Sequence, residues 1–180
     1  MFSKDVSSVK GYSNKTLSLY SLLKRCSLHG RTDWNDLPGG SGVYIVYLPD
    51  TAPDFQESTG DAIHAEPCSV FELTRKWESI NKDCLTDIIY VGKGDDVKKR
   101  VRTLIRFGVG KARNHKGGEW LWQIKNIELA YIRIITCPQG KQAAFEKWVL
   151  DSFYSEHGNW PLANREGGKG NEVWHPNMDI

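Results

Sequence analysis

Cysteines are few and scattered in this chain: Cys26, Cys68, Cys84 and Cys137 form no CxxC pair. That argues against a zinc ribbon or a disulfide framework and leaves free thiols in a reduced, cytosolic (cytoplasmic) protein as the simplest expectation. His64, Cys68 and Cys84 find no evident fourth partner for a tetrahedral zinc site. No long apolar run is present, so no membrane span is expected. The opening Met1-Phe2-Ser3-Lys4-Asp5 has no signal-peptide core. A GxxxxGK[ST] loop is missing too, so Gly92-Lys93-Gly94 fails the spacing of a nucleotide-phosphate loop. Net charge is equally spare, a formal +2, and the global balance names no partner.

What is present is a chain of 180 residues with seven tryptophans, long enough for one domain with a substantial core. Its charges are unevenly spread. From Lys93 to Lys116 there are nine lysines and arginines against two aspartates. From Asp50 to Asp87 there are nine acidic residues against three basic ones. A basic cluster beside an acidic segment suits an anionic partner, although two solvated faces of opposite sign explain the charge alone equally well.

The stretch Asp87–Arg100 is the centre of the pattern. Ile88, Ile89 and Val91 with Tyr90 read as a buried strand closed by Gly92. Gly92 and Gly94 admit backbone angles closed to other residues. Asp95 or Asp96 can cap the helix that follows. Val97, Val101, Leu104 and Ile105 make its buried stripe, and Gly108 is placed to end it. Lys98, Lys99, Arg100, Arg102 and Arg106 occupy its other faces, with Lys111, Arg113 and Lys116 in the glycine-rich loop beyond. A phenol at a strand end and cations on the next helix suit a phosphate.

In chain order, residues 1–14 read as a polar edge segment. Residues 15–29 read as a helix on the stripe Leu19, Leu22, Leu23, Cys26, stopped at His29-Gly30. Gly42–Leu48 is a strand rich in β-branched and aromatic residues. Residues 49–87 form an acidic, surface-exposed insertion with a short helix around Val70–Ile80. Glu119–Asn126 reads as a short helix burying Trp120, Leu121 and Ile124. Leu129–Cys137 is a third strand. Lys141–Glu156 is a helix with the stripe Phe145, Trp148, Val149, Ser152, Phe153, and Glu146 lies at the margin of that stripe. Residues 166–180 read as a tail or a lid.

Hydrolysis of a phosphodiester needs a base, positive charge on the scissile phosphate and a group for the leaving oxygen. Tyr44 and Tyr90 sit on strands flanking the glycine turn, Arg100 can bind a phosphate, and Lys93 and His115 are further donors or proton carriers. Glu146 offers a hard carboxylate to Mg²⁺, which often uses one or two protein carboxylates plus water. A free phenol titrates near ~10, so a tyrosine base needs help from cations or a metal-bound water.

Gly42-Val43-Tyr44 and Tyr90-Val91-Gly92 together resemble the paired signature of the GIY-YIG nuclease family, with Val in place of the middle Ile in both triplets. Lys93, the run Asp96–Arg100, Glu146 and Pro161-Leu162-Ala163-Asn164 resemble that family's later motifs in the same order, over residues 40–165 without the insertion. The resemblance implies an α+β fold: a small central antiparallel three-stranded sheet flanked by helices. It implies an N-terminal helical extension over 1–36, a nuclease domain over 37–165 interrupted by 49–87, and a tail over 166–180. It implies Glu146 on one Mg²⁺ (or Mn²⁺), Tyr44 as base or water-positioning group with Tyr90 assisting, and Arg100 on the scissile phosphate. Asn164 is then structural or phosphate-orienting, and Lys93 and His115 are auxiliary. The long insertion between the triplets departs from the family pattern and bears on substrate choice.

The expected activity is metal-dependent DNA endonuclease, of the stand-alone restriction type or from a phage or mobile element. A homodimer would let such an enzyme cut both strands. The competing expectation is a nucleic-acid-binding module without catalysis on the same basic face, with Lys98, Lys99, Arg102, Arg106, Lys111, Arg113 and Lys116 as its contacts.

Overall fold

Runs of β-branched and aromatic residues alternate here with 3.6-residue apolar stripes, and the chain folds accordingly into mixed α and β structure. The computed structural model describes residues 14–27, 33–49, 52–113, 115–168 and 174. The elements are β1 (Asn14–Ser18), α1 (Leu19–Ser27), β2 (Gly42–Tyr47), α2 (Val70–Ile80), β3 (Ile88–Gly94), α3 (Val97–Gly108), β4 (Tyr131–Thr136) and α4 (Gln142–His157). Two 3₁₀ segments, Lys116–Gln123 and Ile127–Leu129, precede β4.

The strands form one antiparallel sheet in the order β1-β4-β2-β3. Successive side chains of a strand point to opposite faces. Val43, Tyr44, Ile45 and Val46 are all buried, so both faces of β2 are covered. Helices α3 and α4 pack on β2 and β3. Across β2 and β3 the register sets Tyr44 opposite Gly92 and Val46 opposite Tyr90. The two triplets thus lie side by side despite the intervening segment. That segment leaves and returns at adjoining strand ends, where the Leu48 N–H donates to the Asp87 carbonyl at 2.8 Å.

The sheet has four strands among the described residues, not three. The extra one is β1, where a helix is expected from residue 15. Lys15-Thr16-Leu17-Ser18 alternates polar and apolar side chains, and it pairs with the otherwise open edge of β4. The helical stripe starts only at Leu19, and Leu19, Leu22 and Cys26 are buried as expected. Residues 1–13 and the expected stop at His29-Gly30 lie outside the described residues; α1 is described to Ser27.

Helix α2 has the expected bounds, capped by the Ser69 hydroxyl accepting from the Glu72 N–H. Its segment is exposed in most of its acids but anchored by buried Ala62, Leu73 and Ile80. The fully buried Gln123 clasps it: Nε2 donates to the carbonyls of Gln56 and Cys68, and Oε1 accepts from the Cys68 N–H at 2.8 Å. In the segment 116–126, Leu121 and Ile124 are buried as expected, but Trp120 is only half-buried. The described residues of 166–180 pack against the domain. Gly167 passes against Trp160, Gly168 crosses the backbone of α4 at Lys147, and the buried Trp174 stacks on Phe145 at 4.7 Å between centroids.

The stripe of α3 is fully buried at Val97, Val101, Leu104 and Ile105. Replacing Leu104 by Ala is expected to cost about 2–5 kcal/mol, the range for emptying a closed core site. Urea denaturation should show a lower midpoint with an unchanged slope.

Candidate active site

Four pieces of chain meet at the free edge of β3. The strand runs from Tyr90 to Lys93 and turns at Gly94 into α3. Asp96 caps that helix by accepting from the Lys99 N–H at 3.0 Å. The buried stripe then fixes the helix rotation and leaves Arg100 on the side facing β3. Glu146 stands on the second turn of α4. The chain from Pro161 to Gly168 passes along β3. There the Ala163 N–H donates to the Ile89 carbonyl at 2.8 Å. The Asn164 amide makes two bonds to Val91: Oδ1 accepts its N–H at 2.9 Å and Nδ2 donates to its carbonyl at 2.8 Å. Asn164 therefore acts as a piece of neighbouring strand, with both polar groups of its side chain committed to backbone.

Between these pieces lies a cleft of about 470 Å³ lined by Tyr90, Lys93, Arg100, Glu146, Asn164 and Arg165, among others. A second groove of about 540 Å³ shares Lys93 and Arg100 and continues past Lys99, Thr103 and Gln142. In the cleft the Lys93 ammonium donates to Glu146 Oε2. Burial raises the Glu146 carboxyl above its ordinary range, against the opposing pull of Lys93 and Arg100.

Tyr44 and His115 stand behind this surface, both fully buried. The Tyr44 hydroxyl lies 3.3 Å from His115 Nε2, and the Tyr44 ring packs against that of Tyr90. Their rings are tilted at 58° with centroids 5.8 Å apart. Two glycines make room for the pair. A Cβ on Gly92 would stand 2.5 Å from the Tyr44 hydroxyl oxygen, and one on Gly117 would stand 2.8 Å from that of Tyr90. Gly92 is thus needed for space, with no positive φ, in place of the unusual backbone angle expected of it.

Burial dominates the titration of these groups. It pushes Tyr44 well above the ordinary phenol range and Tyr90 up to about 12. Arg100 opposes burial at both, and donation from Tyr44 favours the Tyr90 anion. His115 is pushed down to about 3 by burial, then by the charge of Arg100. At neutral pH both phenols are protonated and the imidazole is neutral. A neutral imidazole protonated at Nε2 can donate to the Tyr44 oxygen, and leaves Nδ1 unprotonated and, among the described residues, without a partner.

The structure brings Tyr90, Lys93, Arg100, Glu146 and Asn164 together at the cleft and sets Tyr44 and His115 one layer deeper. The other expected contacts do not form one face. Lys99 lines the second groove, while Lys98 is half-buried. The charges of Lys111, Arg106 and Arg102 act on the Cys26 thiol at the C-terminal end of α1, where they oppose the rise that burial causes. Lys111 Nζ donates there to the Cys26 carbonyl at 2.5 Å, where a helix end carries partial negative charge. Arg113 is exposed; Asn114 and the Lys116 side chain lie outside the described residues. Gly108 is the last residue of the helix, as expected, before the cap at Val109, and its lack of a side chain also makes room for Trp122.

Sequence reasoning missed Arg165, which lines the cleft and donates to the buried Glu119 at 2.6 Å, and Lys76, which donates from α2 to the Asn164 carbonyl. Adjacency to Asn164 could have flagged Arg165; nothing in the spacing marks Lys76. Among the described residues no group of three or more His, Cys, Asp or Glu side chains gathers to hold a metal ion. No helix among them is long and apolar enough to cross a membrane. No protein-family model, no curated protein and no solved structure matches the chain.

The unfolded chain binds the His115 proton between about pH 6.5 and about 3, and the folded chain does not. Stability from this group is therefore fully present above about pH 6.5 and is lost progressively on acidification toward pH 3. Urea denaturation at steps from pH 7 to pH 4.5 should show that fall, and His115→Gln should flatten it. An equally steep fall in the variant would assign the slope to other groups.

Proposed function

We propose that the chain is a metal-dependent endonuclease that hydrolyses DNA phosphodiester bonds, on a fold of the GIY-YIG type. One observation carries the reading: Tyr90, Lys93, Arg100 and Glu146 converge on one cleft, backed by Tyr44, which packs on Tyr90 and meets His115 at 3.3 Å. The ordered sequence resemblance supports it independently.

The donor set fits a hard divalent cation. Glu146 offers one carboxylate at the cleft, with Oε2 on Lys93 and Oε1 left for a further partner. Mg²⁺ and Mn²⁺ accept such a site, with water and phosphate oxygens completing the shell. When bound, the cation would supply charge for the phosphate and for an acidified water. Arg100 would hold the scissile phosphate through charge-assisted bonds from its planar fork. Lys93 would hold Glu146 in place and add positive charge.

Of the two phenols, Tyr90 is the one able to touch substrate, because Tyr44 has no exposed surface. Tyr90 would orient the attacking water. Its anion is also favoured by donation from Tyr44 and by Arg100, so it can accept the water's proton once the cleft gains further positive charge. Tyr44 and the neutral His115 would hold the Tyr90 oxygen in line. The restriction or mobile-element setting and the homodimer belong to the same proposal, since cutting both strands requires two sites or two successive nicks.

The ion pair of Lys93 with Glu146 also favours a second reading, nucleic-acid binding without hydrolysis, in which the ammonium occupies the carboxylate. Supercoiled plasmid incubated with Mg²⁺, and with EDTA added, separates the two. Nicking that stops with EDTA and falls about 10²–10³-fold in Glu146→Gln, Arg100→Ala and Tyr90→Phe supports hydrolysis; that is the range for removing one group that stabilises the transition state. Binding without nicking, or equal nicking by the variants, supports the second reading or contamination.

A further inference from the structure

The inserted segment reaches the wall of the cleft from behind. Lys76, on α2, donates from Nζ to the main-chain carbonyl of Asn164 at 2.6 Å. The same ammonium lies 5.3 Å from the centre of the Trp120 ring, and the Arg165 guanidinium lies 5.1 Å from that ring. Both cations therefore use one indole, an attraction that strengthens where water is excluded. Arg165 donates from Nη2 to Glu119 Oε2 at 2.6 Å, and Glu119 is buried. Arg165 also lies against Glu66, with Nη1 3.9 Å from Glu66 Oε2 and Nη2 donating to the Glu66 carbonyl at 3.4 Å; its side chain is 38% exposed and lines the cleft with Arg100.

Two adjacent residues thus have different tasks. Asn164 gives its side chain to Val91 on β3 and its carbonyl to Lys76 on α2. Its position is set from both sides, and Arg165 inherits the direction. A guanidinium braced by a carboxylate below and an indole beside it loses little rotamer freedom on meeting a further anion. Arg165 is balanced by the buried Glu119 and the exposed Glu66, so Lys76 adds positive charge to a wall of mixed sign that also carries Glu166.

We propose that the insertion is a working part of the cleft: Lys76 is a positioning residue that fixes the turn at Asn164, so that Arg165 binds a backbone phosphate of the nucleic acid beside the one held by Arg100. This rests on the nucleic-acid reading above. Arg165 and Lys76 then act at substrate binding, while Tyr90, Arg100 and Glu146 act in the chemical step.

The test uses the full chain and a short labelled DNA duplex in EDTA, with affinity measured across a salt series. Removing Arg165 alone would leave Glu119 buried and unpaired, so the variant is Arg165→Met together with Glu119→Gln. Its affinity should fall about tenfold, and the slope of log affinity against log salt should shrink by about one, the signature of one lost phosphate contact. Lys76→Met should weaken binding in the same direction and speed hydrogen exchange at the Val91 amide, and Lys76→Arg should restore both. In plasmid nicking these variants should raise KM and leave kcat near the wild-type value. If the wild type binds duplex and the variants match it in affinity and slope, this inference falls alone. If the wild type binds no duplex, the nucleic-acid reading falls and takes the role of Arg165 with it.

Discussion

Among the described residues, strand β3 has a strand partner on one side only. Its outer edge carries backbone donors and acceptors that must be satisfied next to a cleft, where a fifth strand would close the site. The Asn164 side chain resolves that conflict by giving Val91 one acceptor and one donor in a space a single residue wide. The neighbouring features follow from it. The chain after α4 has to return to this point, which brings Arg165 to the cleft. The carbonyl of Asn164 then becomes the place where α2 can take hold. A sheet edge capped by a side chain stays open above and below the cap, and that opening is the cleft.

Charge and burial divide the site into two layers. The outer layer holds the ionised groups, Lys93, Arg100, Arg165 and Glu146, where water still reaches them. The inner layer holds Tyr44 and His115, whose neutral forms are strongly preferred because ionisation there would go unsolvated. Tyr90 is the boundary: burial raises it, Tyr44 on the inner side and Arg100 on the outer side lower it again, and Glu146 raises it. Such a phenol is more responsive to an incoming cation than one that is wholly inside or outside.

Local pattern was legible where burial and propensity agree. The stripe and cap of α3, the bounds of α2, and the three strands β2, β3 and β4 all stand in the sequence as alternation, period or turn chemistry. Strand β1 did not, because Lys15-Thr16-Leu17-Ser18 is short and runs directly into the stripe of α1. Only its long-range pairing with β4 distinguishes it from a helical first turn. The site was legible as a set of residue types in order. Depth was not: nothing in the triplets tells that Tyr44 lies behind Tyr90. The basic residues after Lys93 read as one surface, yet Lys111 is tied to the end of α1, a destination fixed by packing between elements far apart in sequence. The grip of Lys76 on Asn164 joins residues 88 positions apart, beyond any window in which periodicity operates.

The stacking of Trp174 on Phe145 has a bearing on how this domain could be cut or transplanted. The recognisable triplets and the closing asparagine span residues 42 to 164, which invites a minimal fragment with those limits. Such a fragment would bare the edge of β4 at one end and the ring next to Glu146 at the other. The smallest portable unit is therefore larger than its motifs: it begins no later than β1 and extends at least to Trp174.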